Sequence, residues 1–87
     1  MTISDLVQIF QANNVPEHYY TIGGLGGGEC YGIEFINGKW TVYYSERGRK
    51  TVLEIADSEE FACRQLLSYV NDMMKEDFGH PLDPFKV

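Results

Sequence analysis

The sequence predicts a two-layer α+β domain: an N-terminal helix, a four-stranded antiparallel β-meander and a C-terminal helix, with one sheet face left open. Three observations carry this reading. Asn37-Gly38 is a strong two-residue hairpin signal, because both residues tolerate the positive φ of a type I′ turn. Folding there sets Phe35 opposite Trp40, Ile33 opposite Val42 and Tyr31 opposite Tyr44. A second two-residue loop at Arg47-Gly48 sets Tyr44 opposite Thr51, Val42 opposite Leu53 and Trp40 opposite Ile55. Both turns thus assign the same residues to one buried face, an agreement that a slip of one residue would destroy. The third observation is the apolar stripe of Ala62, Cys63, Leu66, Leu67, Val70 and Met74, which recurs at helical spacing.

The elements follow in order. Thr2 or Ser4 can cap a first helix whose inner face is Ile3, Leu6, Val7 and Phe10. Asn13-Asn14 stops it, and Pro16 prevents its continuation. His18 to Ile22 is β-prone and makes the first strand, and Gly23 to Gly28, broken only by Leu25, is a flexible connection. The meander strands run over about 29–36, 39–46 and 50–56. Asp57 or Ser58 caps the last helix, with Glu60 completing a pattern like a capping box and Glu59 and Glu60 favoured by the helix dipole. Tyr69 and Met73 fall at the margin of its stripe, Lys75 suits its C-terminal pole, and Gly79 ends it. Residues 1–78 therefore form one domain, and 79–87, with two prolines, an irregular tail.

Both helices are expected on the Trp40 face of the sheet. The other face would carry Gly32, Glu34, Thr41, Tyr43, Ser45, Lys50, Val52 and Glu54 toward solvent. Trp40, Val42, Ile33, Phe35, Leu53 and Ile55 would hold the sheet to the helices.

A chain of 87 residues with 44% apolar content has room for one core and not two. A net charge of −6 argues against neutralising nucleic-acid phosphates directly, and suits capture of a basic protein. No apolar run is long enough to span a bilayer. The N-terminus carries no secretory leader, so Cys30 and Cys63 are expected as reduced thiols in a cytoplasmic protein.

Chemistry-bearing motifs are sparse. The run Gly23 to Gly28 matches neither dinucleotide nor P-loop spacing and leads into a strand, so it predicts no nucleotide or other cofactor. His18 and His80 have no ligand spacing with the two cysteines, so no metal site is expected. Glu34 and Glu54 could flank Thr41, but on a solvated face no apolar pocket would raise a carboxyl pKa, and no enzyme is expected. Tyr43 beside Val52, at the foot of a hairpin tip bearing Arg47, Arg49 and Lys50, would make an apolar patch ringed by charge, which is typical of a contact surface.

The segment from Lys39 to Gly48, with its W-x-V-Y-Y-S-E-R-G core, resembles small bacterial immunity proteins of polymorphic-toxin and contact-dependent growth-inhibition systems. The likeness extends through Lys50–Asp57 into Ser58-Glu59-Glu60-Phe61-Ala62-Cys63, covering about residues 1–75 and leaving the tail unmatched. It implies a non-enzymatic protein that binds the C-terminal domain of a cognate toxin in the cytoplasm and blocks its active site or substrate access. Many such toxins are nucleases with basic clefts, which an acidic inhibitor complements. Toxin-facing residues diverge in such families, so the partner-binding candidates are physical choices. They are Glu34, Thr41, Tyr43 and Glu54 on the open face, and the acidic Asp57, Glu59, Asp72 and Glu76 outside the stripe. The alternative is a small regulatory or adaptor domain that binds another protein or itself.

Overall fold

The computed structural model describes residues 1–24 and 29–83, and the expectations for residues 25–28 and 84–87 lie outside them. Helix α1 (Ile3–Ala12) and helix α2 (Glu59–Phe78) flank strands β1 (Tyr20–Ile22), β2 (Cys30–Ile36), β3 (Lys39–Glu46) and β4 (Arg49–Ala56), which form one sheet in chain order. A single 3₁₀ turn, Glu17–Tyr19, leads into β1 and takes up the start of the strand expected from His18.

Most helix signals act as the sequence indicates, but the expected pairing of Asp57 with Glu60 as a capping box gives way to Ser58 as the cap, and Glu60 pairs with Arg64 and the N-terminal amine. The Thr2 hydroxyl accepts from the Asp5 amide while the Asp5 carboxylate accepts from the Thr2 amide, a reciprocal capping box. Ser58 caps α2 by accepting from Phe61, and Gly79 closes it at φ +76°, its amide donating to the Lys75 carbonyl. Leu6 and Phe10 of α1 meet Ala62, Cys63, Leu66, Val70 and Met74 of α2 over Ile33 and Val42 in one core. Each such fully buried side chain contributes roughly 1.5–3 kcal/mol relative to exposure. Leu82 joins this core, held by the Asn71 side chain accepting from its amide, so the chain stays docked beyond α2.

The sheet is mixed. β2, β3 and β4 are antiparallel, but β1 runs parallel to β2, with Tyr20, Thr21 and Ile22 beside Tyr31, Gly32 and Ile33. This corrects the all-antiparallel expectation. Gly23 and Gly24 at φ +79° and +72° turn the chain out of β1, and the Gly23 amide donates to the Ile33 carbonyl.

Both hairpin turns form as read, with Asn37-Gly38 and Arg47-Gly48 all at positive φ, and the β2–β3 register is the expected one. The second hairpin departs midway. Tyr44 opposes Thr51, but Tyr43 opposes Val52 while Val42 opposes Glu54, so Leu53 is an extra residue in a β-bulge. Beyond it every side chain of β4 changes face. Ile55, expected in the core, lies beside Thr41 on the opposite face and is 63% exposed, and Ala56 takes its place opposite Trp40. Glu54 correspondingly leaves the open face. Phe35 is on the expected face but is 58% exposed at the hairpin end, where it packs on Trp40 with ring centroids 4.9 Å apart.

Candidate protein-binding surface

The sheet face away from the helices is less open than its alternation suggests. Tyr43 and Thr41, expected at the surface, are buried, Tyr43 completely. The Tyr43 ring lies across Gly32, where a Cβ would collide with it, and its hydroxyl donates to the Gly24 carbonyl at 2.5 Å. Lys50 caps the ring from outside, its Nζ 4.7 Å from the centroid and 2.8 Å from Glu34 Oε1. Burial first, and then the Glu34 charge, push the Tyr43 phenol up to about 12. Next to this block Ser45 Oγ is buried with no hydrogen-bond partner among the described residues. What remains exposed is a strip of Ile36, Val52 and Ile55, bordered by the Lys50–Glu34 pair and by Lys39, which pairs with Asp57.

The acidic candidates are similarly divided. Glu34 and Asp57 are held by lysines, and Glu59 accepts from the Ile3 amide at 2.9 Å, capping α1 from the first turn of α2. Glu54 stands opposite Val42 through the bulge. Asp72 and Glu76 are exposed on α2 and form no ion pair among the described residues.

Glu76 lines a groove of about 550 Å³ between α2 and the antiparallel strands, and Asp72 lies close enough for its charge to act on Tyr31 there. The groove's wall is Tyr69, Met73, Glu76 and Asp77 of α2, its floor Tyr31, Tyr44, Thr51 and Leu53, and Glu29 stands at its end. The groove arises because Tyr69 and Met73 are at the margin of the α2 stripe and do not close over the cross-strand Tyr31–Tyr44 pair. Tyr31 stacks on Tyr69 at 5.1 Å with 15° between the ring planes, and meets Tyr44 at 5.1 Å and 57°. Burial leads in raising the Tyr31 phenol, followed by Tyr69, Asp72 and Glu76. Burial likewise leads for Tyr44, followed by Glu29 and Glu46. Asp77 also accepts a hydrogen bond from the Tyr19 hydroxyl.

The groove therefore pairs flat aromatic faces with an anionic rim, a chemistry that suits cations on a protein surface. Of the candidates read from the sequence only Glu76 lines it, with the charge of Asp72 close to its Tyr31. The tyrosines were legible in retrospect: Tyr69, Asp72, Met73 and Glu76 are spaced to share one helix flank, and Tyr31 faces Tyr44 across the first hairpin.

Among the described residues no three His, Cys, Asp or Glu side chains converge as metal ligands, and no helix is long and apolar enough to cross a membrane. Cys30 and Cys63 are both buried thiols, and burial pushes Cys63 up to about 11. No protein-family model matches the chain, and no curated protein or solved structure shows significant similarity to it.

Proposed function

We propose that this chain is a cytoplasmic immunity-type protein that neutralises the catalytic domain of a bacterial toxin by binding it. The observation that carries the reading is the tyrosine-floored groove with Glu29, Asp72, Glu76 and Asp77 around it, on a chain of net charge −6. A nuclease domain presents a basic cleft for its substrate, and a negatively charged, aromatic surface competes for that cleft by charge and by apolar contact. The chain contributes no catalysis in this reading; it acts by occupying the toxin's active site or the approach to it.

The exposed Ile36–Val52–Ile55 strip favours a second reading, an adaptor domain whose sheet face receives another protein or a second copy. Affinity capture from the source bacterium with the full chain as bait separates the two. The immunity reading expects one toxin C-terminal domain, in a stoichiometric and salt-sensitive complex in which the toxin is inactive. Recovery of a housekeeping protein, or only of the chain itself, would replace it with the adaptor reading.

A further inference from the structure

We propose that the groove between α2 and the sheet is an arginine-binding site, which receives a guanidinium group from the partner protein. The inference rests on the protein-binding reading above and names what this site recognises.

The occupant follows from the groove's chemistry. Its floor and wall present three tyrosine rings; Tyr31 and Tyr69 take up one face of each other, and the remaining ring surface and the phenol oxygens line the groove together. Carboxylates stand at separate points around these rings, Glu29 near the Tyr44 hydroxyl and Asp72 and Glu76 near Tyr31. A bare metal ion needs ligands that converge on one point, and the described residues have no such group. A planar guanidinium has five donors spread in one plane, which suits dispersed carboxylates, and its face stacks on tyrosine. An ammonium group is a strongly hydrated point charge and uses neither the plane nor the fork. Glu29, Asp72 and Glu76 take part in no ion pair among the described residues, whereas Glu34, Asp57 and Glu60 all do. Arg47 and Arg49 line a neighbouring hollow with Glu46 and share only Thr51 with the groove. The cation that complements this surface is therefore one the partner supplies.

The test is an NMR titration of the full chain with three short peptides that differ only at two positions, arginine, lysine or the neutral isostere citrulline. Expected are shifts confined to the rings of Tyr31, Tyr44 and Tyr69 and the methyl of Met73. The arginine peptide should bind tightest and the citrulline peptide at least about tenfold more weakly. Glu76→Gln should weaken the arginine peptide severalfold and leave the citrulline peptide unchanged. Equal binding of all three peptides, or shifts centred on Ile36, Val52 and Ile55, would overturn the assignment. The outcome is separable from the identity of the partner. A chain that binds the arginine peptide here but inhibits no toxin keeps the site and loses the immunity reading. A chain that neutralises a toxin while these tyrosines ignore arginine does the reverse.

Discussion

The ring of Tyr43 fills the space that a side chain at Gly32 would occupy, on the sheet face that carries no helix. With Lys50 above it and the Gly24 carbonyl at its hydroxyl, this one residue covers the Gly32 end of a face that alternation alone assigns to water. Gly32→Ala should therefore destabilise the domain by about 1–3 kcal/mol, the usual cost of overpacking. Tyr43→Phe should cost only about 1 kcal/mol for the lost hydrogen bond. Urea denaturation of both variants checks the order, and a Gly32→Ala protein as stable as wild type would show that the ring can move aside.

Arg47 holds φ +50° at the first position of the second turn, where a long side chain gains nothing and asparagine is better tolerated. Arg47→Asn should stabilise the domain by up to about 1 kcal/mol. Gly48→Ala, at φ +79°, should destabilise it by at least as much. Thermal melting of the pair reads both signs.

The Asn13 side chain donates to the Ile9 carbonyl at 2.8 Å and to the Asp83 carbonyl at 2.9 Å, and accepts from the Asp83 amide at 2.9 Å. It ties the end of α1 to the segment that carries Leu82 into the core. Asn13→Ala should cost about 1–2 kcal/mol and raise amide exchange at Leu82 and Asp83 before the rest of the chain opens. Uniform exchange across the chain would mean that this segment does not open separately.

Alkaline pH should unfold the protein, while the neutral range should leave it unaffected through these groups. Tyr19 and Tyr43 are raised to about 12 from the ordinary 10.0, and Cys63 to about 11 from 9.0. Asp77, as hydrogen-bond acceptor, is the main cause for Tyr19, and burial for the other two. Each fold favours the protonated form, so the stabilisation is complete below the ordinary value and is lost as pH climbs through the raised one. Melting temperature should fall steeply from about pH 9 to 12, and less steeply in Tyr43→Phe. Identical slopes for the two proteins would remove Tyr43 from this account.

Much of the fold was legible because several local signals agreed. Asn37-Gly38 and Arg47-Gly48 set the first register in full and the second as far as Val52, and the caps at Thr2, Ser58 and Gly79 set the helix ends. The bulge at Leu53 was not legible, because the run Thr51-Val52-Leu53-Glu54-Ile55 has no glycine to mark an extra residue, and simple alternation sets Leu53 and Ile55, not Glu54 and Ala56, opposite Val42 and Trp40. The direction of β1 was hidden for a similar reason. A short connection between neighbouring strands ordinarily makes a hairpin, and the three residues from Tyr20 to Ile22 carry no signal strong enough to say otherwise. At the candidate site, charge pointed to acidic residues, but whether a carboxylate is engaged depends on tertiary partners: Lys50 for Glu34, Lys39 for Asp57, the Ile3 amide for Glu59.

The decisive measurement is the salt-dependent association rate between this chain and the toxin domain proposed as its partner. It compares wild type with Glu76→Lys in the groove and Glu17→Lys in the exposed turn before β1, two variants with the same net charge. At low salt the account predicts that Glu76→Lys slows association by about tenfold, while Glu17→Lys stays within about twofold of wild type. Equal slowing by the two would mean that overall charge attracts the toxin, and would contradict a binding role for the groove.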